Sequence, residues 1–153
     1  MKTSVLFICL GNICRSVTAE EVFRTMTKAA GREQDFYIDS AGLIDYHQGE
    51  LADSRMRRHA SQHGYRLTHR SRPVTPEDFH KFDLIVAMDE NNVKGLKAIS
   101  PSEEASRKIV LMADYLRKHD YSYVPDPYYG DDEDFELVID LLEDACQGLL
   151  DTL

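Results

Sequence analysis

A cysteine and an arginine stand near the start of the chain with five residues between them, at Cys9 and Arg15. That spacing lets the chain turn back on itself, so that successive backbone N–H groups point inward and form a nest for an oxyanion. The positive field of a following helix and of a guanidinium stabilises a thiolate, which makes Cys9 a candidate nucleophile. Arg15 can donate to two phosphate oxygens at once. The pattern therefore predicts a phosphate-binding loop with a nucleophile at its floor.

The surroundings of this pattern make it more specific than the spacing alone. An apolar run of strand type ends at Cys9, and a helical pattern follows Ser16, whose hydroxyl group is available beside the thiol. Gly11 and Asn12 tolerate unusual backbone angles. The alternative is a structural cysteine near a surface arginine, which requires no such order of strand, turn and helix. The predicted phosphate-binding residues are Leu10, Gly11, Asn12, Ile13, Cys14 and Arg15.

Length and composition limit what the chain can be. A sequence of 153 residues with 42% hydrophobic content is expected to form one domain over residues 1–153. The apolar run at residues 5–10 is too short to cross a bilayer, which argues against a membrane protein. Three cysteines, Cys9, Cys14 and Cys146, do not form the framework of a secreted disulfide protein. We therefore expect a cytoplasmic protein.

The net charge of −9 is unevenly distributed. Residues 1–76 carry 11 Lys and Arg against 8 Asp and Glu, whereas residues 77–153 carry 7 against 19. This acidic surface argues against nucleic-acid binding, which requires a basic stripe. The basic stretch at residues 55–59 has two interpretations: it steers an anionic substrate, or it is the solvated face of a helix.

Strand and helix patterns alternate along the chain. Strands are predicted at residues 4–9, 36–41, 82–88 and 108–112, and helices at 16–30, 53–63, 90–99 and 132–150, with a further helix starting at residues 75–76. This alternation predicts an α/β fold, a single doubly wound domain with a four-stranded, mainly parallel sheet flanked by helices. Ligands of such sheets bind at the carboxyl ends of the strands, where Cys9 lies.

A carboxylic acid late in the chain is the candidate proton donor. Asp126 is followed by Pro127, Tyr128, Tyr129 and Gly130. Expulsion of a phenolate at neutral pH is helped by a general acid, and Asp126 is the candidate for it. The proline stiffens the loop, and the two tyrosines are candidates for the walls of a cleft that accepts an aromatic group. Taken alone, however, Asp-Pro is also a common start of a turn.

The two motifs together resemble those of the low molecular weight protein tyrosine phosphatases, and the resemblance runs from end to end. In that family Cys-Leu-Gly-Asn-Ile-Cys-Arg-Ser near the N-terminus is paired with a late Asp-Pro-Tyr-Tyr-Gly, as in residues 9–16 and 126–130 here. The resemblance implies hydrolysis of phosphotyrosine through a phosphocysteine, with Cys9 as nucleophile, Arg15 as phosphate clamp, Ser16 as activator of the thiolate and Asp126 as acid and then base. It implies no metal and no cofactor.

The resemblance also implies supporting roles. Asn12 is expected to hold the loop in shape through Ser40 and His69. Cys14 resembles the partner that can trap an oxidised Cys9 as a reversible disulfide.

The cleft wall departs from the family pattern. Residues 43–47, which include Tyr46, occupy the family's variable wall and lack its commoner threonine and tryptophan. We expect Tyr46 to form the cleft wall together with Tyr128 and Tyr129. Val17 stands where the family usually has proline, which removes some preorganisation but no catalytic group.

The expected partners are tyrosine-phosphorylated proteins, and one candidate is a tyrosine kinase of polysaccharide export. Four other functions are alternatives to this one. Arsenate reductases of this fold need further cysteines for a disulfide relay, and arginine phosphatases tend to have threonine at the position of Ile13. A sugar-transport phosphocarrier must not hydrolyse its phosphocysteine, which Asp126 argues against. A non-catalytic phosphotyrosine-binding module does not require Cys9, Arg15 and Asp126 together.

Overall fold

The computed structural model describes residues 2–153 and contains one four-stranded sheet. Its strands are β1 (Thr3–Cys9), β2 (Phe36–Gly42), β3 (Leu84–Ala87) and β4 (Ile109–Leu111). Every neighbouring pair is parallel, and the strand order is β2-β1-β3-β4. The first strand is therefore central, and its carboxyl end lies between those of β2 and β3. The α/β fold with a parallel sheet is confirmed, and the sheet is parallel throughout.

Six α-helices flank the sheet. They are α1 (Arg15–Ala29), α2 (Ser54–Gln62), α3 (Asp78–Lys81), α4 (Glu90–Ile99), α5 (Glu103–Ser106) and α6 (Asp132–Thr152), with short 3-10 helices at Glu33–Asp35 and Met112–Tyr115. Within residues 2–153, none of these helices combines the length and the apolar character needed to span a bilayer.

The two faces of β1 contribute to two hydrophobic clusters. Val5 and Phe7 belong to the cluster that includes α1 and α6, where Phe7 packs edge-on against Phe23 with 5.7 Å between ring centroids. Leu6 and Ile8 belong to the cluster that includes α3 and α4. Alternate side chains of one strand are thus buried on opposite sides of the sheet, as a doubly wound topology requires.

Several predicted boundaries differ from those of the structure, and three of the differences have a clear physical reason. The third helix begins at Asp78 rather than at residues 75–76, because the Asp78 carboxylate accepts from the Thr75 N–H (2.8 Å) and residues 76–77 form a turn before the helix. The third strand covers only Leu84–Ala87, since Phe82 ends the preceding helix although its side chain is buried. The fourth strand stops at Leu111, where the chain turns into a 3-10 helix.

Candidate active site

The loop between β1 and α1 wraps around the sulfur of Cys9. Asn12 adopts a left-handed conformation (φ 58°), which turns the chain back toward the start of the helix. The end of β2 lies tightly against this loop. A Cβ at Gly42 would stand 2.9 Å from the carbonyl oxygen of Leu10 and 3.1 Å from the backbone nitrogen of Asn12. The turn at Asn12 and the close packing of β2 at Gly42 therefore fix the shape of the loop together.

The sulfur of Cys9 has two donors at the first turn of α1. Its Sγ lies 3.0 Å from the Ser16 Oγ, and the Ser16 N–H donates to the same sulfur at 3.4 Å. The Ser16 Oγ itself accepts from the Asn12 side-chain amide at 2.8 Å, which leaves the hydroxyl proton free for the sulfur. This arrangement stabilises negative charge on Cys9.

Asn12 is the centre of the network behind the loop. Its amide nitrogen also donates to the Ser40 Oγ (3.0 Å), and its oxygen lies 3.1 Å from the His69 Nε2 and accepts from the Arg72 N–H at 3.1 Å. The Ser40 hydroxyl donates onward to Glu20 (2.6 Å). The structure thus brings Ser40 and His69 to the residue that the sequence paired with them, and their role as loop support remains a prediction.

The network behind the loop also includes two charged residues that the sequence did not predict, Glu20 and Asp39. The carboxylates of Glu20 and Asp39 lie 3.3 Å and 3.5 Å from the Nδ1 of His69. Ligand atoms of these three residues lie within 4.8 Å of one another, a grouping that a cation could use. Each carboxylate also has a guanidinium partner, Arg24 for Glu20 and Arg72 for Asp39. Hydrogen bonding and ion pairing account for the arrangement.

Arg15 is buried, with 2% of its surface exposed, and is held from behind. Its NH1 group donates to the Asp89 carboxylate (2.7 Å) and to the Val124 carbonyl (3.0 Å). The adjacent Nε and NH2 groups are left for the cleft, so a fork of two donors can bind a phosphate. Burial acts to lower the pKa of Arg15, but Cys9 and the nearby carboxylates outweigh burial and raise it. The guanidinium stays charged.

Asp89 is a functional residue that the sequence interpretation missed. It stands two positions after the end of β3, and its carboxylate reaches Arg15, 74 positions away in sequence. A usable signal existed, because the carboxyl ends of neighbouring parallel strands meet at one edge of a sheet. The pairing of Ile8 with Ala87 brings that edge of β3 next to Cys9.

A cleft with a volume of about 290 Å³ opens above this loop. The three predicted wall residues line it, and two of them are strongly exposed, Tyr46 at 79% and Tyr129 at 94%. Asn12 and Ser16 lie outside its lining. Ile44 and His47 also line the cleft, and both lie in the stretch of residues 43–47 that the sequence assigned to the variable wall. The full lining comprises Cys9, Leu10, Gly11, Ile13, Cys14, Arg15, Ile44, Tyr46, His47, Asp126, Tyr128 and Tyr129.

Asp126 lies at the rim of the cleft. Its side chain is 40% exposed, one carboxylate oxygen is 3.8 Å from the Arg15 NH2, and the other accepts from the Tyr128 N–H at 3.1 Å. Arg55 of α2 holds the same loop, since it donates to the Tyr128 carbonyl oxygen at 2.9 Å. The Arg55 guanidinium also lies over the rings of Tyr128 and Phe135.

Of the basic stretch at residues 55–59, part faces inward. Arg55 packs on the acid loop, and His59 is buried and stacked on Phe135. Arg57 and Arg58 are exposed. The interpretation as a solvated helix face therefore does not hold for Arg55 and His59.

The two other cysteines are buried free thiols. Burial, followed by the charge of Cys9, raises the pKa of the Cys14 thiol. Burial likewise raises the pKa of Cys146, whose Sγ contacts the Ala19 carbonyl oxygen at 3.8 Å inside the core. Because Cys146 packs against α1 in the core, it is not available at the surface to relay a disulfide.

Comparison with known proteins agrees with this geometry. The family model described as low molecular weight phosphotyrosine protein phosphatase matches residues 4–153. The chain belongs to that family. A protein of Synechocystis sp. whose name gives the same family is 46% identical over 97% of this chain and 95% of its own length. The low molecular weight phosphotyrosine protein phosphatase of Gallus gallus is 40% identical over 97% of this chain and 94% of its own length.

A solved structure extends the agreement to the fold. The crystal structure of a protein tyrosine phosphatase from Entamoeba histolytica superposes with a TM-score of 0.96 at 43% identity, covering 99% of this chain and 96% of the other. The chain is a protein tyrosine phosphatase, and phosphotyrosine hydrolysis is the activity of its family.

Proposed function

We propose that this phosphatase hydrolyses phosphotyrosine, and aryl phosphate monoesters generally, through a phosphocysteine formed on Cys9. The thiolate attacks phosphorus, the bond to the phenolic oxygen breaks, and water then attacks the phosphocysteine to release inorganic phosphate. The observation that carries the proposal is the pair of Ser16 donors on the Cys9 sulfur at the floor of the cleft. They stabilise the thiolate before attack and again as it leaves.

Arg15 supports this chemistry as the phosphate clamp. Because its NH1 group is occupied by Asp89 and Val124, its other donors meet the equatorial oxygens of the phosphoryl group in a fixed orientation. Charge spreads over those oxygens in the transition state, where a bidentate donor is most useful. The backbone N–H groups from Leu10 to Arg15 complete the cradle.

Asp126 is proposed as general acid for the leaving phenolate and then as general base for water. Its partial exposure, together with its position at the rim near Arg15, supports this role. A carboxyl group that protonates the leaving oxygen in the first step is left as the base that the second step needs.

The lining of the cleft supports an aryl substrate. Ile13, Tyr128 and the exposed Tyr46 and Tyr129 provide apolar and aromatic walls for a phenyl ring. A related structure, the Wzb protein of Vibrio vulnificus, is in complex with benzylphosphonate and superposes with a TM-score of 0.85 at 27% identity over the whole of both chains. Benzylphosphonate carries an aromatic ring on a phosphonate, the same pair of features that this cleft would accept.

The proposed partners are tyrosine-phosphorylated proteins. A tyrosine kinase of polysaccharide export remains the specific candidate, and likeness to the tyrosine phosphatase Wzb of Escherichia coli K30, with a TM-score of 0.85, is compatible with it. We assign residues 1–153 to one phosphatase domain that acts in the cytoplasm without a metal or cofactor.

Cys14 is proposed as the redox partner of Cys9. The two cysteines are buried ends of one loop, and both line the cleft. Peroxide would oxidise the thiolate to a sulfenic acid, and attack by Cys14 would expel water and form a disulfide that thiols reduce. In a Cys14→Ala protein, activity lost to mild peroxide should return more slowly or not at all. Equal recovery would argue against protection by Cys14.

The central experiment measures acid catalysis and the covalent intermediate in one set of proteins. Cys9→Ser should abolish hydrolysis while inorganic phosphate still binds. Asp126→Asn should slow hydrolysis of phenyl phosphate by about 100-fold and that of p-nitrophenyl phosphate much less, because a better leaving group needs less protonation. Asp120→Asn, a change of an exposed aspartate outside the cleft, is the matched control. Rapid-quench mass spectrometry should find one phosphoryl group on the peptide containing Cys9.

Two results would contradict the proposal. Turnover by the Cys9→Ser protein would remove the nucleophile from the mechanism. Equal slowing of both substrates by Asp126→Asn would make Asp126 a structural residue, and the proton donor would have to be another group.

A further inference from the structure

A second cavity adjoins the catalytic cleft and has no part in the mechanism above. Its volume is about 400 Å³, and it shares Ile13, His47 and Tyr128 with the cleft as common walls. A substrate whose phosphotyrosine occupies the cleft would therefore pass directly over this cavity with its neighbouring residues. The charges in the cavity decide which neighbours it favours.

Two arginines face this cavity, and both are anchored to the same short segment of backbone. Arg57 donates through Nε to the Ala52 carbonyl oxygen at 3.0 Å, and Arg70 donates through NH1 to the Gly49 carbonyl oxygen at 2.9 Å. Each guanidinium has five N–H donors, so each has donors to spare. Anchoring at one N–H fixes the direction of the remaining ones and reduces the entropy lost on binding.

The two carboxylates that line the same cavity, Asp53 and Glu50, already have partners of their own. Asp53 pairs with Arg55 at 3.0 Å and accepts two backbone N–H groups at the start of α2. Glu50 lies 3.2 Å from the Nδ1 of His47. The guanidinium groups of Arg57 and Arg70 keep free donors in the cavity, and a guanidinium favours an oxyanion.

We propose that this cavity is a subsite for an acidic group of the substrate, next to the phosphotyrosine, which Arg57 and Arg70 bind. The group is a carboxylate of Asp or Glu, or a second phosphoryl group, on a residue within a few positions of the phosphotyrosine. The proposal rests on the proposed function, because the phosphotyrosine must occupy the cleft for its neighbours to reach the cavity. An extended peptide advances about 3.5 Å per residue, so the near neighbours of the phosphotyrosine are the residues placed to cross the shared wall.

The net charge of the whole protein determines at which stage of binding such a subsite can act. The chain has a net charge of −9, which repels acidic peptides at long range. Attraction by Arg57 and Arg70 acts only at short range and is screened by salt. The subsite therefore selects among peptides already at the cleft, and it acts on KM or Kd rather than on the chemical step.

The test uses three phosphotyrosine peptides that differ only at the residues flanking the phosphotyrosine, which are Gln, Glu or phosphoserine. For the wild-type protein, we expect kcat/KM to be about fivefold higher for the Glu peptide than for the Gln peptide, the scale of two exposed ion pairs. A higher kcat/KM for either acidic peptide than for the Gln peptide supports the subsite. Whichever acidic peptide has the higher kcat/KM shows whether the subsite prefers a carboxylate or a phosphoryl group. The preference should shrink in high salt.

The variants assign the preference to residues. In a double variant with Arg57→Gln and Arg70→Gln, the ratio of the two kcat/KM values should fall to about 1, and each single variant should be intermediate. Because the ratio is taken within each protein, a general loss of activity cancels. Arg107→Gln removes the same charge at an exposed position outside both cavities and should keep the wild-type ratio.

A binding measurement separates failure of the subsite from failure of the proposed function. Fluorescence anisotropy of labelled peptides with the Cys9→Ser protein gives Kd without turnover, and Kd should follow the same order. Equal affinity for the Gln peptide and both acidic peptides, or an equal loss of preference in Arg107→Gln, would overturn the subsite. Absence of hydrolysis for every peptide by the wild-type protein would overturn the proposed function, while the Kd values would still decide on the subsite.

Discussion

Replacing Asp89 separates two contacts made by one carboxylate. Its Oδ2 accepts from Arg15 at 2.7 Å, and its Oδ1 accepts from the Asn92 N–H at 2.8 Å and caps α4. Asparagine is as good a cap as aspartate but carries no charge, whereas alanine lacks both functions. Asp89→Asn therefore tests the contact to Arg15 alone. The difference between Asp89→Asn and Asp89→Ala measures the contribution of the cap of α4.

The expected magnitudes follow from burial. Arg15 is 2% exposed, so loss of its charged partner weakens a charge-assisted hydrogen bond that contributes about 2 kcal/mol. A cap contributes about 1 kcal/mol more. Asp89→Asn should lower the free energy of unfolding by about 2 kcal/mol and Asp89→Ala by about 3 kcal/mol. In both, the Val124 carbonyl is the one hydrogen-bond acceptor left behind Arg15, and a misdirected guanidinium should lower kcat by about 10- to 100-fold.

Binding and catalysis should respond in opposite directions. Asp89 offsets part of the positive charge of Arg15, so its neutralisation leaves more positive charge for an anion. Inhibition by inorganic phosphate should be unchanged or tighter in Asp89→Asn while kcat falls. The assay is steady-state hydrolysis of p-nitrophenyl phosphate, with phosphate inhibition and urea unfolding measured on the same proteins. Ser102→Ala, which removes the cap of α5 at the Ala105 N–H, is the control for loss of a cap.

One result would refute this reasoning. If Asp89→Asn keeps the wild-type kcat while Asp89→Ala loses it, the cap of α4 is the important contact and the charge does not orient Arg15.

Three further predictions concern other contacts. Gly42→Ala should lower both stability and kcat/KM, because the new Cβ would meet the Leu10 carbonyl at 2.9 Å and displace the phosphate loop; urea unfolding and kinetics check this. Arg55→Met should slow hydrolysis of phenyl phosphate more than that of p-nitrophenyl phosphate, since it frees the acid loop; equal slowing would contradict it. The hydrogen bond to Glu136 raises the pKa of His63. The stabilisation of the folded protein by this contact is therefore complete below about pH 6.5 and is lost as pH rises through the folded-state pKa of His63. His63→Gln should therefore destabilise the protein more at about pH 6 than at pH 9 in chemical denaturation.

The parts of the site that residue patterns alone predict are local, whereas the placing of Ser40 and His69 around Asn12 came from the family resemblance. Cys9, Arg15 and Ser16 stand within one strand-turn-helix unit, and the order of apolar run, flexible residues and helical pattern is legible in a few residues. Asp126 was identified because proline and two tyrosines mark its loop. The strand boundaries at Phe82 and Met112 were wrong because an apolar residue can be buried without pairing in the sheet.

The partners of these residues could not be predicted with the same means. Arg55 binds the acid loop across 73 positions, and Arg15 binds Val124 across 109. No periodicity in the sequence connects residues so far apart. Each of these arginines could have been an ordinary exposed side chain on the surface. Asp89 alone had a readable signal, its position after a buried parallel strand.

The central position of β1 has a consequence for synthesis of the chain. The strand pairs with β2 from Thr3 to Cys9, but its other edge is filled only when Leu84 pairs with Val5. A nascent chain therefore carries an open edge of a largely apolar strand from the moment β1 emerges until β3 follows, and such an edge recruits other strands. The phosphate loop is made first but remains without the Val124 anchor and the acid until nearly the whole chain has left the ribosome. Truncated chains would thus be prone to aggregation without being partly active, and a cell would have to clear them rather than use them.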